Sequence, residues 1–297
     1  MGRLGEGWDY VRNARFVRNA TEYATLLPDC FRSAPAGESA QCFAAVHTTL
    51  MFVGVGRSGT TLLGALLDAH PDIVVANEQC LLKYLTPIRW SRERIFRLLL
   101  SNSSAKAEAG RPGGGGYTYA VPGQWQGRYR RILVIGDKSR SAQSVEWLYS
   151  RPGLLQTLGK TTDTRIRLIH VIRNPWDTIA RRSLRRGVSL ERISHQYFAL
   201  VNKLQALLAR LGEDTPVDAQ CIPVHLDEFV ANPSAELERV CRQLGVTTEP
   251  DYLAACAGIV KQPSEPRKSV EWSAALRSDI EKRVAGIPCL ERYAFGN

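Results

Sequence analysis

Gly54-Val55-Gly56-Arg57-Ser58-Gly59-Thr60-Thr61 is the stretch on which the reading of this chain turns. An apolar run, Leu50-Met51-Phe52-Val53, precedes it, and Leu62-Leu63-Gly64-Ala65-Leu66-Leu67 follows with helical composition. Strand, glycine-rich turn and helix is the layout of a phosphate-binding loop, where backbone N–H groups and a helix N-terminus hold an anion together. The spacing from Gly54 to Gly59 begins a Walker A motif, but Thr60 stands where that motif requires lysine. The cation of the loop is Arg57, inside the turn. The anion expected here is therefore not the β/γ-phosphate of ATP or GTP.

The rest of the chain fits an anion-binding α/β protein. Its 297 residues suit one large domain or two small ones. A net charge of +10 favours polyanionic partners such as nucleotides, nucleic acid, acidic glycans or anionic lipid. No basic motif interleaved with aromatics supports a nucleic-acid module, and none is expected. No apolar run approaches the roughly 20 residues of a membrane span. The stretch from Met1 to Phe16 is polar and lacks the apolar centre of a signal peptide, so a soluble cytoplasmic chain is the expectation. The seven cysteines are dispersed without a CxxC pair, which argues against zinc, and no metal is expected. Cys30 and Cys42 could pair, but two free thiols suit a reducing compartment better. Asn19 and Asn102 open glycosylation triplets that matter only in a secreted chain.

Residues 1–46 read as an N-terminal extension and residues 47–297 as a single domain. Strands are expected at Leu50–Val53, Ile73–Val75, Ile132–Ile135, Ile166–Ile172 and Cys221–His225. Helices are expected over 91–100 with Ser91 as cap, from Pro175 at its first position, over 190–211, and from Pro233 to Leu244 with Gly245 closing it. Residues 101–128, with four consecutive glycines at 113–116, read as a long flexible loop: a substrate lid or a disordered insertion. Alternating strands and helices predict a three-layer, P-loop-like α/β fold with a central parallel sheet flanked by helices. Ligands of such sheets bind beyond the carboxyl ends of the strands. Arg57, Glu78, Lys138 and Arg173 all fall there. His70, His195 and His225 read as packing or capping residues.

Several segments together resemble one family. Gly56-Arg57-Ser58-Gly59-Thr60-Thr61-Leu62, Leu67-Asp68-Ala69-His70-Pro71-Asp72, Glu78, Gly136-Asp137-Lys138-Ser139, Val171-Ile172-Arg173-Asn174-Pro175-Trp176-Asp177 and the segment from Val224 to Pro233 resemble sulfotransferases that use 3′-phosphoadenosine 5′-phosphosulfate (PAPS). The tyrosylprotein and Golgi carbohydrate branches are the nearest in motif. The resemblance implies PAPS as donor, with 3′-phosphoadenosine 5′-phosphate as product. Arg57, Ser58, Gly59, Thr60 and Thr61 would cradle the 5′-phosphosulfate. Glu78 would be the general base, with a pKa raised by the neighbouring anion, and Lys138 would neutralise the bridging oxygen, oriented by Asp137. Glu108 and Glu146 are less well placed for the base.

Arg173 matches the family's 3′-phosphate arginine. The serine usual eight positions later is Arg181 here, leaving Arg181 or Ser183 to make that contact. Arg182, Arg185 and Arg186 extend the basic cluster, which reads equally well as a solvated helix face. Arg267-Lys268-Ser269 resembles a shortened form of the family's C-terminal nucleotide loop, with Ser269 in place of glycine. The implied activity is sulfuryl transfer to a hydroxyl or amine, with a small molecule as the first choice of acceptor. A carbohydrate or a protein tyrosine is the alternative within the class, and a P-loop kinase or NTPase the alternative outside it.

Overall fold

Continuous apolar runs with β-branched residues favour strands that bury both faces. The computed structural model describes residues 40–85, 90–113, 117–211 and 217–296, so most of the N-terminal extension, with Asn19 and Cys30, lies outside the described residues. A short 3₁₀ turn, Ala40–Phe43, leads into β1 (Thr48–Val53). Then follow α1 (Thr60–Asp68), β2 (Ile73–Asn77), a 3₁₀ turn at Leu81–Leu85, α2 (Arg92–Glu108) and β3 (Val134–Lys138). Next come α3 (Ser141–Ser150), α4 (Leu154–Thr162), β4 (Arg165–Ile172), α5 (Pro175–Arg186) and α6 (Leu190–Leu211). The chain continues through β5 (Ala219–His225), α7 (Leu226–Ala231), α8 (Pro233–Leu244), α9 (Pro250–Gly258), a 3₁₀ turn at Pro266–Ser269 and α10 (Ala274–Ala285).

The five strands are all parallel, in the order β2-β3-β1-β4-β5. Successive residues of one strand serve opposite layers. Met51 and Val53 join a core built with α2 to α6 and α10, whereas Leu50 and Phe52 join a second core with α1 and α7 to α9. This is the expected three-layer fold. Pro223 is tolerated inside a strand because β5 lies at the sheet edge, and Arg239 donates to its carbonyl at 2.9 Å.

Two sequence expectations change. Lys138 is the last residue of β3 rather than a residue beyond it, paired in register with Asn77. Gly136 lets the ladder continue: a Cβ there would lie 2.2 Å from the Leu50 carbonyl oxygen. The loop expected from residue 101 is helical as far as Glu108. Its Ser/Ala/Lys composition is compatible with helix, and Ser103 and Asn102 are used inside the fold. Asn102 Oδ1 accepts from the Asn77 N–H at 2.7 Å and its Nδ2 donates to Gln79 Oε1 at 2.8 Å, so the Asn102 glycosylation triplet serves packing.

The irregular chain after α2 is tied down at its base. Gln126 Nε2 donates to the Ala65 carbonyl at 2.9 Å, and the Trp125 N–H donates to Ala69 at 3.1 Å. Buried Asp68 accepts from Val75 N, Ser103 Oγ and Gly127 N and pairs with Arg111. Burial pushes the Asp68 carboxyl up to about 6 against the pull of Arg111 and these hydrogen bonds. Asp68→Ala strands the Arg111 charge in the interior. It is expected to lower unfolding free energy in urea by about 3–5 kcal/mol; a loss under about 1 kcal/mol would mean that the network is peripheral.

Candidate active site

The turn after β1 carries the first group. Gly59 at φ 100° ends the loop and begins α1, and no side chain caps that helix. Its first N–H groups therefore remain available to an anion. Gly59 also has no room for a side chain, since a Cβ would lie 2.8 Å from Leu226 Cδ1. Ser58 is buried, and its hydroxyl closes the turn by donating to the Val55 carbonyl at 2.9 Å, so its side chain shapes the loop while its N–H remains a candidate ligand. Arg57, a non-glycine residue held at φ 79°, stands exposed at the apex. Backbone strain of this kind at a non-glycine residue clusters at ligand sites. Thr60 opens α1 and Thr61 faces the adjoining cavity.

Glu78 follows β2 at φ 59°, and its N–H donates to the Lys138 carbonyl at 2.9 Å. Its carboxylate meets the Lys138 ammonium at 3.1 Å and Arg140 Nε at 3.5 Å. Burial pulls this carboxyl upward, but Lys138 and Arg140 outweigh it and hold the group below the usual glutamate range. The raised pKa expected from the sequence is thus reversed, because the nearest charges are two cations. Asp137 does not orient the Lys138 ammonium by a hydrogen bond. Its fully buried carboxylate accepts from the N–H groups of Gln79 at 3.1 Å and Leu81 at 3.0 Å, and from Ser139. Asp137 thereby fixes the turn that presents Glu78. Burial raises its own pKa despite these donors.

A cavity of about 90 Å³ opens beside Lys138, lined among others by Thr61, Ala65, Asn77, Lys106 and Tyr119. Its walls come from α1, the ends of β2 and β3, and the segment after α2. Glu146, considered as a base, instead pairs with Lys203 at 2.7 Å.

The third group lies beyond β4. Asn174 caps α5 by accepting from the Trp176 N–H at 2.9 Å, and Pro175 occupies the first helical position. Arg173 Nη1 donates to the Arg57 carbonyl at 3.3 Å, which joins this group to the first loop. Its Nη2 donates to the Ser264 carbonyl, while Arg181 Nη1 donates to the Ser264 hydroxyl. Burial lowers the Arg173 pKa, with Arg181, Arg267 and Arg57 acting in the same direction and Asp177 opposing. Arg57 is lowered by burial and by Arg185 and Arg181. Among the described residues, none of Arg57, Arg173 and Arg181 forms an ion pair.

Three expected ligands have partners within the protein. The Ser183 hydroxyl donates to the Val188 carbonyl at 2.6 Å, closing the end of its own helix. Arg267 is buried and pairs with Asp177 at 2.5 Å and with Glu265 at 2.5 Å, while its Nε donates to Phe295 at 3.1 Å. Exposed Lys268 pairs with Glu265 at 2.6 Å. His70 and His225 make contacts within the fold. His70 bridges Thr247 and the Asp72 N–H, and His225 meets the Tyr293 hydroxyl at 3.0 Å. Exposed His195 lies on α6.

Among the described residues no group of three or more His, Cys, Asp or Glu side chains could hold a metal, and no helix is long and apolar enough to cross a membrane. Sequence reasoning missed Arg140 and Ser264. Arg140 could have been noticed as a second cation two residues past Lys138, whereas nothing local marks Ser264.

Comparison with known proteins bears on the same segments. No curated protein matches the sequence. Similar solved structures include the sulfotransferase domain of the Synechococcus PCC 7002 olefin synthase, at 17% identity over 84% of this chain and 96% of that one, with a TM-score of 0.46. Sulfotransferase STF9 from Mycobacterium avium aligns at 13% identity over 84% of this chain and 78% of that one, with a TM-score of 0.46. Mouse sulfotransferase SULT7A1 complexed with PAP aligns at 13% identity over 89% of this chain and 96% of that one, with a TM-score of 0.44. The model of a sulfotransferase family matches residues 162–250, which carry β4, the Arg173 turn, α5, α6, β5 and α8. That family model covers residues 162–250 of the 297, and the match rests on this segment.

Proposed function

We propose that this chain moves a sulfuryl group from PAPS to a hydroxyl or amine of a small acceptor. The observation that carries this reading is the pair of cationic sites joined at one loop. Arg57 and the uncapped start of α1 suit the 5′ end of the donor. Arg173, 3.3 Å from the Arg57 carbonyl, suits a second phosphate on the same nucleotide. ATP carries no phosphate on its ribose 3′ oxygen, and Thr60 removes the lysine that a P-loop kinase needs. Guanidinium groups gathered without carboxylate partners repel one another, so an anion that joins them binds strongly.

PAPS supplies the activated sulfuryl group and carries away the leaving 5′-phosphate. The residues of the chain do the rest. The N–H groups of Ser58, Gly59 and Thr60, with the hydroxyls of Thr60 and Thr61, hold the donor in line for transfer. Lys138 sits at the end of β3, between Glu78 and the cavity, where its charge can pass to the leaving oxygen. Glu78 then takes the acceptor proton. In a loose transition state, positioning and charge neutralisation do most of the work. A cavity of about 90 Å³ supports a compact acceptor.

The test is thermal stability with ligands. At a hundredfold excess over Kd, 3′,5′-adenosine bisphosphate is expected to raise Tm by about 5 °C, while ATP with magnesium leaves it unchanged. The reverse pattern would overturn the sulfuryl-donor reading in favour of a kinase or NTPase.

A further inference from the structure

The segment between α9 and the 3₁₀ turn, Gln262-Pro263-Ser264-Glu265-Pro266, lies along α5 and is held at two points. Arg267, at its end, is anchored to Asp177 through its guanidinium at 2.5 Å and its own N–H at 3.2 Å. One helical turn further along α5, Arg181 reaches the Ser264 hydroxyl, and Arg173 reaches the Ser264 carbonyl. Asp177 and Arg181 are four residues apart and share a helix face. Prolines on both sides of the Ser264–Glu265 pair restrict its backbone before any ligand arrives. Ser264 itself is exposed. Its hydroxyl therefore stands, preorganised and accessible, against the two guanidinium groups that lack ion-pair partners.

We infer that Ser264 and Arg181 complete the 3′-phosphate site of the donor, with Arg267 acting only as the residue that positions Ser264. Arg173 and Arg181 pass the N–H groups now on Ser264 to phosphate oxygens, and the Ser264 hydroxyl donates a further hydrogen bond. A serine delivered from this loop supplies the contact that helix position 181 cannot. The tie from Arg267 to Asp177 explains why that buried arginine is spent on the protein rather than on the ligand. This inference rests on the donor reading proposed above.

The experiment is calorimetric titration of the full chain with 3′,5′-adenosine bisphosphate and with adenosine 5′-phosphate, which lacks the 3′ group. Ser264→Ala is expected to weaken the bisphosphate about tenfold and leave adenosine 5′-phosphate unchanged. Arg181→Ser is expected to weaken the bisphosphate by more, about 30-fold, with the same selectivity. Wild-type affinity for the bisphosphate in Ser264→Ala overturns the inference, as does an equal loss for both nucleotides. Those results leave the donor reading standing if the wild type binds the bisphosphate. A wild type with no affinity for it brings down the donor reading and this inference together.

Discussion

Glu78→Gln is expected to lower kcat by about 10²–10⁴-fold while the affinity for 3′,5′-adenosine bisphosphate stays within about twofold of wild type. The amide keeps the shape and the backbone bond from Glu78 N–H to the Lys138 carbonyl, but it cannot accept a proton. The cationic neighbours sharpen this prediction. With Lys138 at 3.1 Å and Arg140 at 3.5 Å, Glu78 is ionised to lower pH than an ordinary glutamate. The acidic limb of kcat/KM, which reports the free enzyme, is therefore expected below the usual glutamate range. Arg140→Ala removes one cation that favours the carboxylate, so that limb moves to higher pH. Lys138 has a second task, and the two are coupled: as its charge passes toward the leaving oxygen, its hold on Glu78 weakens and the carboxylate becomes a stronger base. Normal turnover in Glu78→Gln would remove Glu78 as the base. Loss of donor affinity in step with turnover would make it a structural anchor for Lys138 instead.

The part of the candidate site that was legible in the sequence is the part written in short segments. The turn from Gly54 to Thr61 declares itself because glycine spacing, a preceding apolar run and a following helix all lie within a few residues. Glu78, Lys138 and Arg173 were legible because parallel strands buried on both faces read as apolar runs, and their carboxyl ends share one edge. What was not legible depends on contacts between distant positions. Asp137 holds Gln79 from 58 residues away, Arg267 holds Asp177 from 90, and Arg181 holds Ser264 from 83. No local pattern separates such an arginine from a solvated one. The pKa of Glu78 reversed for the same reason, since its sign depends on which charges the fold brings near. The extension of α2 to Glu108 was hidden by composition: serine and alanine read as loop when the buried Asp68 that receives Ser103 is out of view.

Arg57→Ala is expected to weaken 3′,5′-adenosine bisphosphate by about 10²–10³-fold, because it removes a charge-assisted contact from the apex of the loop and part of the field that the site offers. The same substitution should not damage the fold. The Arg57 side chain is largely exposed, and partial desolvation together with Arg185 and Arg181 already makes its charged form less favourable than in water. Removing it relieves repulsion with both arginines, so Tm is expected to equal or exceed that of the wild type, measured without ligand. A positive φ of 79° is somewhat strained for alanine as it is for arginine, so Arg57→Gly should be the more stable of the two and equally poor at binding. Arg57→Lys keeps the charge but loses the planar fork, and an intermediate loss is expected. A site that trades stability for ligand binding gives this signature: affinity falls while stability holds or rises. Retained bisphosphate affinity in Arg57→Ala would sink its role as donor ligand. A parallel fall in Tm would show that the arginine holds the loop together rather than waiting for an anion.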